Sequence, residues 1–320
     1  MRQQALVTGA AGFIGSHLVD QLLNKGWDVV GFDNLSSGRK ENLGSANEFP
    51  QFRFIEGDLA DLHNIRQALG ECELVFHLAA NPEVQRGSVE PSLHFQQNLL
   101  TTFNLLEAIR ARGTHTKLVF ASTSTIYGEP SIMPTPENYG PLLPISVYGS
   151  TKLGCEALAA SYTQLLPLQV IIFRFANVVG PRARHGVIYD FILKLRRNPS
   201  ELEVLGDGTQ TKSYLHVRDC VDAFLATIND SFWETSVDVY NIGTAEQTGV
   251  LRIAETITQA MNLRNVTIRT TPGPQGRGWP GDVKTMQLDI SKMERRGWKP
   301  KMNSDAAVRL ATTELLSELS

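Results

Sequence analysis

Cysteine is scarce in this chain of 320 residues: Cys72, Cys155 and Cys220 stand far apart, odd in number and without a C-x-x-C pair. That excludes a disulfide framework and a cysteine zinc site, and it fits a reducing compartment. An excess of one charge is also missing. Thirty Lys and Arg against 33 Asp and Glu leave a net charge of −3, no footprint for nucleic acid or an anionic membrane. The local basic group Lys194, Arg196 and Arg197 reads as the solvated face of a helix. No apolar run approaches the roughly 18 residues of a membrane helix. The first strand pattern begins almost at once, so no secretory leader is expected. Internal repeats, low-complexity tracts and flexible linkers are absent too. What remains is an ordinary globular composition, 42% hydrophobic and 20% charged, in one large or two intimately joined domains. A cytoplasmic location is expected.

The most informative segment that is present runs Val7-Thr8-Gly9-Ala10-Ala11-Gly12-Phe13-Ile14-Gly15. It follows the apolar run Ala5-Leu6-Val7 and opens a helical pattern, Phe13, Ile14, Leu18, Val19, Leu22, Leu23. A glycine cluster alone also makes a tight turn. Between a strand and a helix, three glycines let the backbone approach a pyrophosphate, whose charge then sits on free N–H groups at the helix start. A second apolar run, Val29-Val30-Gly31-Phe32, ends in Asp33. A carboxylate there accepts hydrogen bonds from both hydroxyls of an adenosine ribose and repels a 2′-phosphate, so the expected cofactor is NAD rather than NADP. The stretch Asp33-Asn34-Leu35-Ser36-Ser37-Gly38 also reads as a plain turn rich in loop formers.

Strand-like and helical patterns alternate through the first half. The runs Phe52-Arg53-Phe54-Ile55, Leu74-Val75-Phe76-His77-Leu78, Lys117-Leu118-Val119-Phe120-Ala121 and Val170-Ile171-Ile172-Phe173 read as strands. Helices are expected near residues 61–69, 93–112 and 146–166. This rhythm predicts a doubly wound parallel α/β sheet buried on both faces. After about Asn177 glycine and proline break the pattern, as expected of a smaller α+β substrate-binding domain. The helix near 217–228 and the run at 237–242 return to the main sheet. The expected division gives residues 1–176 and about 214–243 to the cofactor domain, and 177–213 and about 244–320 to the substrate domain.

Tyr148 and Lys152 stand four apart on an expected helix, hence on one face. For Tyr148 to act as a phenolate its pKa must fall from about 10 to near 7, about 4 kcal/mol. A neighbouring ammonium and a positively charged nicotinamide both act in that direction. Ser122-Thr123-Ser124-Thr125 ends the strand that begins near Lys117, where hydroxyls can meet a substrate hydroxyl; four in a row also read as a polar loop.

With these residues in place the chain resembles extended short-chain dehydrogenase/reductases of the nucleotide-sugar epimerase/dehydratase group, and most of all the UDP-glucose (UDP-galactose) 4-epimerases. The resemblance runs nearly end to end. It is carried by the glycine segment, Asp33-Asn34-Leu35, Gly57-Asp58-Leu59, His77-Leu78-Ala79-Ala80, Asn98, Ser122–Gly128, the Tyr148/Lys152 pair, Arg174–Arg182, Tyr214–Asp219, Tyr240–Gly243 and Gly281-Asp282-Val283.

The resemblance implies a Rossmann fold, NAD held through turnover, a UDP-sugar substrate, and a homodimer paired through the helices near 93–112 and 146–166. It makes Tyr148 the base, Lys152 its electrostatic partner and nicotinamide-ribose ligand, and Thr123, with Ser124 as the alternative, the bridge to the sugar 4-hydroxyl. Cofactor contacts are implied for Gly9, Gly12, Phe13, Ile14, Gly15, Asp33, Asn34, Ser37, Gly38, Asp58, Leu59, Leu78, Ala79, Ala80, Asn98 and Ser122. Substrate contacts are implied for Asn177, Val187, Leu205, Lys212, Arg277, Asp282 and Met286. Lys212 and Arg277 also read as surface charges. The chain departs from the group in having Pro82 where several 4-epimerases place a Lys, and Lys212 where many relatives have Arg. The spacing from Arg277 to Asp282 is also long.

The implied reaction interconverts UDP-glucose and UDP-galactose through a transient 4-keto sugar. A UDP-hexuronate 4-epimerase uses the same apparatus and stays open. A 4,6-dehydratase needs an acidic donor and base after the first Thr of the strand end, where Thr123-Ser124 offers only hydroxyls. A non-catalytic NAD sensor has no use for the Tyr148/Lys152 pair, and a dehydrogenase that releases its cofactor each turnover is the remaining alternative.

Overall fold

A computed structural model of the chain describes residues 3–320. Strands and helices alternate as β1 (Gln4–Thr8), α1 (Phe13–Asn24), β2 (Asp28–Asp33), β3 (Phe52–Glu56), α2 (Leu62–Leu69) and β4 (Leu74–His77). A long helical run follows, built of α3 (Pro91–His94), a π-helical stretch Phe95–Leu100 and α4 (Thr101–Arg112). Then come β5 (Thr116–Thr123), α5 (Val147–Tyr162) and β6 (Leu168–Phe175). The rest of the chain forms β7 (Asn177–Val179), α6 (Val187–Arg197), β8 (Glu201–Leu205), β9 (Thr211–Lys212), β10 (Tyr214–His216), α7 (Val217–Ala226) and β11 (Val237–Ile242). It closes with β12 (Thr248–Gly249), α8 (Val250–Ala260), β13 (Thr267–Thr271), β14 (Thr285–Met286), α9 (Ser291–Arg295) and α10 (Ser304–Glu318).

Seven strands form one parallel sheet in the order β11-β6-β5-β4-β1-β2-β3. The apolar runs are continuous because both faces are covered. On one face Val7, Val29, Phe76, Val119, Ile171 and Phe173 pack with Leu18, Val19 and Leu22 of α1 and Val221 and Phe224 of α7. On the other, Leu6, Val30, Val75, Leu118, Val170 and Ile172 pack with Ile65, Leu105, Ile109 and Cys155 of α2, α4 and α5. Alternate residues thus serve opposite layers, the period of two that a strand imposes. The chain order reverses between β1 and β4, which opens a crevice at their carboxyl ends.

The second unit carries its own core of Ile188, Phe191 and Ile192 from α6, Ile253 and Ile257 from α8, and Val308, Ala311 and Leu315 from α10. Outside the main sheet the strands pair in three small sheets, β10-β7, β12-β9-β14 and β13-β8. Expected helix ends shift by a few residues for local reasons. Asp61 and Ser146 are N-caps rather than first turns, accepting from His63 N and Gly149 N. Residues 163–166 turn away from α5 instead of extending it. All three cysteines are free and buried. Among the described residues no helix is long and apolar enough to cross a membrane.

Candidate active site

A cavity of about 1120 Å³ opens at the carboxyl ends of the parallel strands and is walled by both units. It lies just above the roughly 300–1,000 Å³ of a single small-molecule site. At one end the glycine segment forms its floor: Gly9, Gly12, Phe13, Ile14 and Gly15 all line it. Gly9 holds φ +70°, and a Cβ there would stand 2.8 Å from Ala79 N; a Cβ on Gly15 would stand 2.0 Å from Gly9 O. Only glycine lets these three segments touch. Helix α1 has Gly12 as its N-cap and no capping side chain, so its first N–H groups are left for a ligand. This is a cradle for a pyrophosphate.

Asp33 stands at the end of β2, 7% exposed. Its Oδ2 accepts from Ala11 N at 3.0 Å and its Oδ1 from Leu35 N at 2.7 Å. Each oxygen keeps a free lone pair beside the cavity, as a ribose diol needs. Burial raises the carboxyl pKa, and the two backbone donors oppose that. Asn34 donates to Asp58 Oδ2 at 2.9 Å, and both line the cavity with Ser37, Leu59, Leu78, Ala79, Ala80 and Ser122. The donor set and the glycine cradle therefore fit a dinucleotide.

Two expected cofactor contacts lie behind this wall. Gly38 buttresses the turn, where a Cβ would meet Ala11 C at 2.9 Å and Asp33 Oδ1 at 3.0 Å. Asn98 is buried, its Oδ1 accepting from Asn81 N at 2.7 Å, and it braces the loop after β4 rather than facing the cavity.

Helix α5 carries the reactive pair into the middle of the cavity, and Tyr148, Lys152, Thr123 and Ser124 all line it. Lys152 is 2% exposed, with its Nζ 4.1 Å from the centre of the Phe120 ring. Burial lowers its pKa to about 8. Tyr148 meets the edge of the His94 ring at a centroid distance of 5.6 Å. Burial pushes its phenol up to about 12, the buried Cys155 adds to the rise, and a hydrogen bond with Thr123 pulls the other way. In the protein alone desolvation therefore outweighs the Thr123 bond. Thr123 and Ser124 both stand on the cavity wall with Tyr148.

The sequence reading missed the support beneath this pair. Ser122 donates to Glu156, Glu156 pairs with Arg174 Nη2 at 2.7 Å, and Arg174 Nη1 donates to Tyr127 Oη at 2.9 Å. Tyr127 in turn donates to Asn241 Oδ1 at 2.7 Å. Glu156 lies one helical turn beyond Lys152, a spacing that could have pointed to it.

At the far end Asn177, Val187, Leu205, Lys212, Asp282 and Met286 line the cavity. Lys212 Nζ is paired with Asp282 at 2.8 Å. Arg277 does not reach the wall: it turns to Glu129 at 2.7 Å and to Asp282 O at 2.6 Å, which its long spacing to Asp282 permits. Arg86, Arg184, His185 and Trp279 also stand on the wall, unflagged by sequence.

The parallel sheet, the glycine-floored helix start and the tyrosine–lysine pair one turn apart define a dinucleotide-dependent enzyme of the Rossmann type. Residues 5–243 match the NAD dependent epimerase/dehydratase family, and the chain belongs to it. It is 35% identical over 309 residues to a putative UDP-glucose 4-epimerase of Methanocaldococcus jannaschii, a match covering 95% of each chain. A crystal structure of a UDP-galactose 4-epimerase superposes with a TM-score of 0.87 at 43% identity, covering 99% of this chain and 100% of that one. A UDP-glucuronic acid 4-epimerase from Bacillus cereus, solved with UDP-glucuronic acid and NAD, superposes with a TM-score of 0.88 at 29% identity and the same coverage. The fold class and family expected from the sequence are borne out, and the cofactor of the family is NAD.

Proposed function

We propose that the protein is a 4-epimerase interconverting UDP-glucose and UDP-galactose. The observation that carries this reading is the convergence of Tyr148, Lys152 and Thr123 in one cavity with a dinucleotide cradle. The strand end from Ser122 to Thr125 supplies hydroxyls only, enough for alcohol–ketone interconversion but not for removing a carbon-bound proton. Gly9, Gly12, Phe13, Ile14 and Gly15 would hold the pyrophosphate of NAD, and Asp33 its adenosine ribose. When bound, NAD supplies a reversible acceptor for hydride from C4 of the sugar.

Tyr148 takes the 4-hydroxyl proton, directly or through Thr123, and returns it once the 4-keto sugar has turned over. Burial raises its pKa in the protein alone, and the positive charge of a bound oxidised nicotinamide would favour the phenolate. Lys152, one turn along the same helix, supplies a second positive charge, and burial lowers its pKa to about 8. Asn177, Lys212 and Asp282 line the nucleotide end, and Met286 the sugar side. Residues 1–176 with about 214–243 form the cofactor domain in this reading, and the remainder the nucleotide-sugar domain.

A UDP-hexuronate is the second reading, favoured by the similarity to the Bacillus cereus enzyme and by Arg86 and Arg184 on the cavity wall. Incubating the purified protein with UDP-glucose, UDP-galactose and UDP-glucuronate, without added cofactor, decides between them. Interconversion of the two hexoses is expected, with NAD copurifying; conversion of the hexuronate alone overturns the hexose reading. Tyr148→Phe should lower the rate about 10²–10⁴-fold, the usual contribution of a positioned general base.

The exposed Phe95, Leu100 and Phe103 on the helical run before β5 support a homodimer paired through that face. Sedimentation at twice the monomer mass checks it, and a monomer at working concentration refutes it. Buried free cysteines and a charge near neutrality support a cytoplasmic protein with no nucleic-acid or membrane partner.

A further inference from the structure

Four lysines stand over aromatic rings among the described residues. Three of them also hold a carboxylate: Lys117 pairs with Asp230 at 2.7 Å, Lys212 with Asp282 at 2.8 Å, and Lys292 with Asp238. Their ammonium groups lie 5.5, 5.7 and 4.6 Å from the ring centres. Lys152 is the exception. Its Nζ is the closest of the four to a ring, 4.1 Å from the centre of Phe120. It is 2% exposed, and among the described residues its ammonium makes no ion pair and no hydrogen bond.

A buried ammonium without a partner is costly. The carboxylate that acts on Lys152 is Glu156, one turn further along α5. Both its oxygens are engaged elsewhere: Arg174 Nη2 donates to Oε2 at 2.7 Å, Arg174 Nε to Oε1 at 3.2 Å, and Ser122 also donates to Oε1. Its charge is matched by Arg174. The partner left to Lys152 is the negatively polarised face of the Phe120 ring. It lies well inside the roughly 6 Å at which a ring attracts a cation, and the attraction grows when the pair is desolvated.

The ring is fixed in that position. Phe120 is fully buried on β5 and shares a core layer with Leu118 of the same strand and Cys155 and Ala159 of α5. It also meets His77 at a centroid distance of 5.6 Å. Residues two apart on a strand share a face, so Phe120 meets Lys152 on the side where Ser122 meets Glu156. A carboxylate and a ring both favour the charged lysine, but a carboxylate also cancels the field of the ammonium, whereas a ring carries no net charge. The phenolate form of Tyr148, one turn before Lys152, needs that field.

Resting on the epimerase reading above, we propose that Phe120 is a positioning residue whose ring face keeps the Lys152 ammonium charged and un-neutralised for Tyr148. The groups facing Lys152 are Tyr148, Cys155 and Glu156 on α5, with Arg174 of β6 behind Glu156, and His77 on β4. Burial raises the Cys155 thiol and lowers His77 to about 3, so Lys152, lowered to about 8, titrates apart from both. Carbon NMR of the lysine Cε reads that titration in the NAD-loaded protein. A Tyr148→Phe background takes the phenol out of it, and Lys152→Met identifies the resonance.

Phe120→Leu should lower the Lys152 midpoint by about one pH unit and abolish the upfield shift that a ring face imposes on the Cε protons. Because Leu leaves space in a packed layer, mono- and trifluorinated phenylalanine at position 120 form the second arm. They keep the shape of the ring while draining negative charge from its face. The midpoint should fall in step with the number of fluorines. With Tyr148 restored, kcat on the hexose should fall in the same order while KM holds. A midpoint that ignores fluorination overturns the proposal even if Phe120→Leu moves it, since the ring would then act by volume alone. A level kcat with a falling midpoint overturns the role in the reaction. The titration needs no turnover, so a wild type that converts neither UDP-glucose nor UDP-galactose fails the epimerase reading and leaves the pairing of ring and ammonium to be judged on its own.

Discussion

Asp33 shows how much one side chain can carry. Its oxygens hold the turn by accepting from Ala11 N and Leu35 N, and Leu35 sits at φ +59°, a left-handed conformation that a Leu adopts only under constraint. Removing the whole carboxylate would loosen that turn as well as the ribose contact. Asp33→Asn is the milder probe: its amide oxygen can still accept from Leu35 N, only the Ala11 N–H loses its acceptor, and the negative charge is gone. The NAD-over-NADP preference should narrow by about tenfold or more as the repulsion toward a 2′-phosphate disappears. Cofactor-stripped protein titrated with each dinucleotide measures it, and an unchanged ratio would remove Asp33 from the ribose. Tyr148 teaches the complementary lesson. Its position beside Lys152 was legible from a four-residue spacing, but its ionisation was not. Desolvation depends on tertiary neighbours such as His94, which comes from a separate helix.

Helix α5 converts these side chains into a fixed geometry. Ser146 caps it, accepting from Gly149 N at 3.1 Å, and the same residue receives the packed Gly281 of the opposing loop. Ser146→Ala should lower the unfolding free energy by about 1 kcal/mol, the usual worth of an N-cap. Denaturant titration followed by circular dichroism reads this, and a loss near zero would mean that α5 is held by packing alone. The elements of the sheet were legible because each strand is a short apolar run and each helix repeats at 3.6 residues. The long helix was less so: its start at Pro91 and the π-helical stretch Phe95–Leu100 leave no mark in the periodicity. The short strands β7, β9, β10, β12 and β14 were illegible for a related reason, since two- and three-residue pairings take their register from tertiary neighbours. Arg277 was misplaced through the same loop, where spacing alone did not tell that it would turn to Glu129.

At the scale of the whole molecule, two packed layers and a second core enclose the cavity, and the enclosure buries histidines in neutral form. His77 is the extreme case. It is wholly buried at the end of β4, its Nδ1 2.7 Å from Thr8 Oγ1 and its Nε2 3.0 Å from Thr102 Oγ1. Burial, helped by the charge of Lys152, lowers its pKa to about 3. Burial also lowers the pKa of His17, His94, His185 and His216. Above about pH 6.5 both the folded and the unfolded chain keep His77 neutral, and it contributes no pH dependence. As pH falls from about 6.5 toward 3, the unfolded chain binds a proton that the native state refuses, so stability falls by up to about 1.4 kcal/mol per pH unit. Below about 3 the native ring protonates too, and the slope from this residue ends. His77→Gln keeps polar atoms that can meet both threonines and cannot titrate. Denaturant unfolding of wild type and variant at a series of pH values between 6.5 and 4 should show a slope shallower in the variant by about one proton. Equal slopes would mean that His77 is protonated in the native state, bonded as an imidazolium to the two threonine oxygens, and that the acid sensitivity of the fold lies with the other four histidines.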